Sequence, residues 1–180
     1  MSEPTSSEAD YRAFFREVYP DLLRFAQRRV EPSEAEEVAA EAMLIVWRRF
    51  DRAPREPSDR RAWTFGVARN VLFNTRRSRT RWNALGVRLA AHAVPSTDDH
   101  AERVNASVDV RRAWEQLTPS QQETLALTIL DGLRANEAAV VLGISAVSYR
   151  ARLTRARRAL RVLLRDDAAA HTTLIERQAQ

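Results

Sequence analysis

This sequence predicts an all-α fold of two small helical domains joined by a flexible linker. Three observations carry the prediction. Apolar residues recur at intervals of three and four rather than alternating, only 4 of the 180 residues are Gly, and a polar stretch with Pro95, Ser96, Thr97, Asp98 and Asp99 parts two periodic halves. A chain of this length can bury one ordinary core or two small ones.

Residues 1–10 are polar and acidic and read as a disordered N-terminus. Residues 11–29 form a first amphipathic helix, with Phe14, Phe15, Val18, Leu22 and Phe25 on its apolar side and Pro32 past its end. Ser33-Glu34-Ala35-Glu36 reads as a capping box that opens a second helix, running through Val38, Leu44 and Trp47 to about Phe50. Pro54 and Pro57 among charges make 51–61 a surface loop, and a third helix begins near Ala62. The first domain is therefore expected over 11–82 and the linker over 83–108. In the second domain, 109–166, periodicity resumes at Val110. Thr118-Pro119-Ser120-Gln121 supplies an N-cap, a proline at the first helical position and the Gln of a capping box. One helix then covers 119–131, a second 134–142, and Leu142-Gly143-Ile144-Ser145 is a tight turn into a third. Residues 167–180 read as a short polar tail.

The charge pattern narrows the function. All 29 Lys+Arg positions are Arg, and the net charge of +5 favours a polyanionic partner held by planar guanidinium forks. The absence of Cys excludes disulfides, thiol nucleophiles and Cys-based zinc sites, and fits a reducing cytoplasm. No run of ~18 apolar residues occurs, so neither export nor membrane insertion is expected. No Gly-rich phosphate loop is present, and His92, His100 and His171 lack metal-ligand spacing, so catalytic residues, metal and cofactor are all expected to be none.

Two stretches stand out. Over residues 60–88 the chain carries eight Arg and no acidic residue, with Trp63, Phe65, Phe73 and Trp82 interleaved. In the last helix Tyr149, Leu153, Ala156, Leu160 and Leu163 fall on one face. Off that stripe lie six Arg, with no carboxylate between Gly143 and Arg165. A recognition helix needs short polar or Arg side chains near its N-terminal end to read major-groove edges, and further cations for phosphates. Ser148, Arg150, Arg152, Thr154 and Arg155 meet that demand.

The order of these features resembles the extracytoplasmic-function sigma factors of the sigma-70 family, in which regions 2 and 4 are joined without region 3. Family members read like GLSYAEIAEVLGISVGTVKSRLHRAR in region 4, and residues 132–157 read GLRANEAAVVLGISAVSYRARLTRAR without a gap. The region 2 pattern DAEDLVQETFLRAW is similar to EAEEVAAEAMLIVW at 34–47, and AWLYRIARN to AWTFGVARN at 62–70. This chain departs from the family at Ala40 and Met43, where Gln and Phe are usual, and at Val147-Ser148-Tyr149, where Gly-Thr-Val is usual.

The resemblance implies a sigma factor, not an enzyme, working in the cytoplasm with core RNA polymerase (its beta-prime clamp and beta flap) and promoter DNA. An anti-sigma factor is a further candidate partner. Glu37, Glu41, Leu44 and Trp47 would dock on the clamp. Trp63, Asn70, Arg76, Arg77 and Arg79 would hold the melted minus-ten element, with the loop over 54–61 selecting a flipped base. The C-terminal helix-turn-helix would take the minus-35 element. No cofactor is implied, ATP included. A stand-alone dimeric helix-turn-helix regulator is the alternative, and a non-specific nucleic-acid chaperone a third class. The former has no need of a long uncompensated cationic strip, and the latter does not explain the Gly143 turn.

Overall fold

The computed structural model describes the backbone of residues 6–77, 87 and 100–178, and the side chains of 8–74, 87 and 108–165. Among these residues every regular element is helical.

Helix α1, Ser6–Gln27, starts inside the segment expected to be disordered. Glu8 in its first turn suits the positive end of the helix dipole and pairs with Arg12 at 2.6 Å, one turn on. Its buried residues Phe14, Val18, Leu22 and Phe25 form a stripe along one side. Helix α2, Pro32–Arg48, does not use the expected capping box. Pro32 takes the first helical position with Glu31 as N-cap, so Ser33 already lies inside the helix. Its buried face is mostly small (Ala35, Val38, Ala39, Ala42, Met43, Val46), which brings α2 close to α1.

A 3-10 turn at Phe50–Arg52 leads to α3, Pro57–Arg77, which begins five residues before the expected Ala62. Proline is tolerated in a helix's first turn, where its missing N–H has no partner to lose. Only Pro54 therefore belongs to the loop. Arg60 straps that loop down, donating to the Pro54 carbonyl at 2.8 Å while lying over the Phe50 ring at 5.0 Å.

The C-terminal half opens with α4, His100–Glu115, whose first turns fall in the segment assigned to the linker. The Trp114 indole N–H donates to the carbonyl of buried Val87 at 2.6 Å, pinning that point of the connection to α4. Helix α5, Pro119–Ile129, carries the expected Thr118/Gln121 capping box. Gly132 and Gly143, at φ 66° and 65°, turn the chain out of α5 and out of α6, Ala135–Leu142. This left-handed backbone strains any residue with a Cβ. Helix α7, Ala146–Gln178, continues through the expected tail, since no Pro or Gly interrupts it.

Tyr149, Leu153 and Ala156 of α7 are buried against α5 and α6, as the stripe requires. Tyr149 is fully buried and donates to the Thr124 carbonyl at 2.8 Å, with the Thr128 hydroxyl at 2.7 Å. Burial pushes its phenol pKa above the ordinary 10.0, the Thr128 bond pulling the other way. A raised pKa means that this stabilisation is fully present below pH 10 and is lost as pH climbs from there through the folded-state value. Tyr149→Phe is expected to lower stability by about 1–3 kcal/mol at pH 7 through the lost hydrogen bonds. Denaturant melts from pH 7 to 11 check this: the gap between wild type and variant closes as pH rises past 10.

The two halves are docked. Helix α3 packs across α6, with the Gly66 Cβ position 3.9 Å from the Val141 Cα, and the buried apolar residues of both halves form one continuous cluster.

Candidate nucleic-acid interface

Helix α7 offers solvent its full cationic face. Ser148, Arg150, Arg152, Thr154 and Arg155 are all exposed while Tyr149, Leu153 and Ala156 point inward. At about 100° per residue the exposed set divides into two flanks, Ser148, Arg152 and Arg155 on one side and Arg150 and Thr154 on the other. A helix laid in a groove touches both walls with such flanks. Ser145 fixes the start of the helix by accepting from the Ser148 N–H at 3.1 Å, so the first polar turn is held in place.

On α3, Trp63, Asn70 and Asn74 lie along one stripe. Trp63 is half-buried, its ring packed on the core, whereas Asn70 is exposed. Arg76 and Arg77 belong to the last turn of α3, with side chains outside the described residues, as is Arg79 altogether. The N-terminus of this helix is ordered by Glu56. Its carboxylate, held below its ordinary range by bonds from Ser58 and the Asp59 N–H, also feels the charge of Arg134 at the start of α6.

The strip over 60–88 was expected to be uncompensated, and here the structure corrects the sequence. Acids remote in the chain reach it. Arg61 donates to Asp21 of α1 at 2.9 Å and to the Asp131 carbonyl at 3.2 Å, while Arg69 lies 4.0 Å from Glu123 of α5. Just past the end of α1, Asp131 and Glu123 also meet Arg28 and Arg29. Asp131, its side chain wholly buried, takes Arg28 on one carboxylate oxygen and Arg29 on the other, each at 2.8 Å, and Arg29 also donates to Glu123 at 3.1 Å. Burial disfavours the Arg29 charge, but Glu123 and Asp131 more than offset it, and its pKa rises. Removing one partner of so buried a pair costs about 3–5 kcal/mol, because the other charge is left without water or counter-ion. The sequence carried no sign of this cluster.

A separate surface lies on α2. Glu37, Glu41, Leu44 and Trp47 share its solvent face, with Leu44 and Trp47 still 47% and 41% exposed despite their apolar bulk. The structure adds an aromatic wall from α1. Tyr11, Phe15 and Tyr19 join Met43, Leu44 and Trp47 around a groove of about 430 Å³, the Tyr11 and Trp47 rings 4.7 Å apart. The spacing 11, 15, 19 was the available signal for this wall. Met43 is buried and Ala40 exposed, but they lie one turn apart on the same side of the helix and both line this groove. Among the described residues no group of His, Asp or Glu could hold a metal, and no helix is long and apolar enough to cross a membrane.

A helical protein with an exposed Arg-rich recognition helix after a glycine turn, and a second Arg-rich helix in its other half, belongs to the class that handles nucleic acid. Residues 14–82 match the family Sigma-70 region 2 and residues 107–160 match Sigma-70, region 4. The chain is 31% identical over 151 residues to the probable RNA polymerase sigma-C factor of Mycobacterium bovis, covering 82% of this chain and 80% of that protein. It is 29% identical over 175 residues to the ECF RNA polymerase sigma factor SigL of Mycobacterium tuberculosis, covering 92% and 97%. Its fold is that of the sigma factor RpoE solved with the anti-sigma factor NepR from Bartonella quintana, at TM-score 0.65 and 24% identity over 87% of this chain and 97% of that one. CnrH, solved with the cytosolic domain of CnrY, gives 0.59 and 23% over 91% and 92%. The chain belongs to the extracytoplasmic-function sigma factors of the sigma-70 family.

Proposed function

We propose that this sigma factor binds core RNA polymerase through the α2 face, reads minus-35 DNA with α7, and holds melted minus-ten DNA along α3. The observation that carries the reading is the α7 face, where five polar or cationic side chains stand exposed on a helix whose opposite side is locked into the core. Base-edge reading needs such side chains on a rigid support, and phosphate binding needs cations nearby. Under this reading 11–82 is the core- and minus-ten-binding unit, 83–108 the connection, and 109–166 the minus-35 unit. Glu37, Glu41, Leu44 and Trp47 face the polymerase clamp. Trp63, Asn70, Arg76, Arg77 and Arg79 face the opened strand. The beta flap is the polymerase's contact for the C-terminal unit. The protein works in the cytoplasm, without catalysis of its own, by binding energy alone. The structural relative RpoE was solved with the anti-sigma factor NepR, which supports an anti-sigma factor as a regulator here too.

Run-off transcription with purified core enzyme on genomic fragments tests the function. The chain is expected to direct discrete transcripts that core alone does not make. A symmetric footprint of a dimer without polymerase, and no transcripts, would establish the stand-alone regulator instead.

A further inference from the structure

We propose that Val147 is a specificity-determining residue of the recognition helix: it reads the C5-methyl group of a thymine in the major groove, and Ala151, one turn on, continues the apolar contact. The inference rests on the reading that α7 takes the minus-35 element. Val147 is 72% exposed, the most exposed large apolar side chain among the described residues. It stands in the first turn of α7, the end from which a recognition helix reaches base edges. At about 100° per residue, Val147 and Ala151 both lie within about 30° of the direction opposite the buried Tyr149, Leu153 and Ala156. They form the crest of the helix, between Arg150 on one side and Ser148 and Arg155 on the other.

This crest offers a base no proton. Val147 and Ala151 have no polar side-chain atom, and Thr154 beside them commits its hydroxyl proton to the Arg150 carbonyl at 3.0 Å. The polar chemistry sits on the flanks. Ser148 accepts from the Ser145 hydroxyl at 2.9 Å and so keeps its own proton for an acceptor, while the Arg155 Nε donates to the Ala151 carbonyl at 3.3 Å, which steers that guanidinium along the crest. An apolar surface pressed on a polar base edge strips its water and returns no hydrogen bond. The thymine methyl is the apolar group that the major-groove code presents, so it is the partner that a crest of this chemistry fits. Val147 stands where the family usually has Gly, which has no side chain, so the contact is one that this chain adds to the reading face.

The test uses the full chain assembled with core polymerase. Duplexes are selected by this holoenzyme from a pool randomised over the minus-35 region, and each thymine of the selected element is then replaced in turn by uracil, which pairs identically and keeps the O4 acceptor but lacks the methyl. At one thymine, uracil is expected to weaken wild-type binding about threefold to fivefold, the effect of one methyl no longer buried. The same replacement should leave binding by Val147→Ala unchanged, and Val147→Ile, which keeps a branched apolar side chain, should retain the uracil penalty. Val147→Ala trims an exposed side chain to the strongest helix former, so its melting temperature is expected to hold. An element with no uracil-sensitive thymine, or a uracil penalty that persists in Val147→Ala, overturns the assignment. So does a loss of holoenzyme assembly in Val147→Ala without any coupling to uracil, which would make the valine a protein contact. Arg150→Ala and Arg155→Ala separate this inference from the reading beneath it. If they weaken binding while Val147 shows no coupling, α7 reads DNA and only the valine assignment fails. If binding is indifferent to both, the recognition-helix reading fails with it.

Discussion

A chain carrying Glu41→Arg together with Leu44→Asp is expected not to co-purify with core RNA polymerase, while its helix content and melting stay those of the wild type. Both positions lie on the outer face of α2, so neither substitution removes a core contact. Leu44 is one rim of the aromatic groove formed with Tyr11, Phe15 and Trp47. A carboxylate placed there must be desolvated when a partner helix docks, and the reversed charge at Glu41 repels the basic flank that the acidic face is suited to meet. Two central interface positions lost together cost about 4 kcal/mol or more, a thousandfold fall in affinity. Pull-down of core by the tagged variant, with circular dichroism as the folding control, gives the answer. Undiminished co-purification would remove the α2 face from the interface.

Asn70→Ala is expected to leave polymerase binding and closed-complex formation intact and to lower open complex tenfold or more. Asn70 is exposed on α3 and supports nothing in the core, so its loss should not disturb the fold. An unpaired base extruded from the duplex sacrifices a few kcal/mol of stacking and pairing, which a polar contact and an aromatic platform partly restore. One such contact is worth about 1–3 kcal/mol. The defect should shrink on a template with a pre-melted bubble, where unpairing is already complete. Permanganate reactivity of minus-ten thymines on duplex and bubble templates measures both. Equal reactivity of wild type and variant on the duplex would make Asn70 a plain surface amide.

The helix ends show where sequence reading held and where it slipped. Thr118, Pro119 and Gln121 signalled the start of α5 because an N-cap, a first-turn proline and a capping Gln act within four residues of one another. The Gly143 turn was legible for the same reason. Pro57 was misread because a proline's meaning depends on whether a helix follows it, and Pro57 opens α3 rather than ending anything. The segment from His100 looked like linker because its polar composition hid a helix whose last turn packs into the C-terminal core through Trp114, with Leu117 buried just past its end.

By itself, the sequence determined that the chain is helical, where its recognition helix starts, and which face of that helix is free. These follow from apolar spacing and capping, interactions that reach no further than a turn or two. Only the tertiary structure decided what happens to the arginines. Arg28 and Asp131 are 103 positions apart, and Arg29 and Glu123 are 94 apart. A strip that looked unneutralised in one dimension is partly neutralised in three, because charge compensation depends on which surfaces are packed together, and the docking of α3 on α6 sets that.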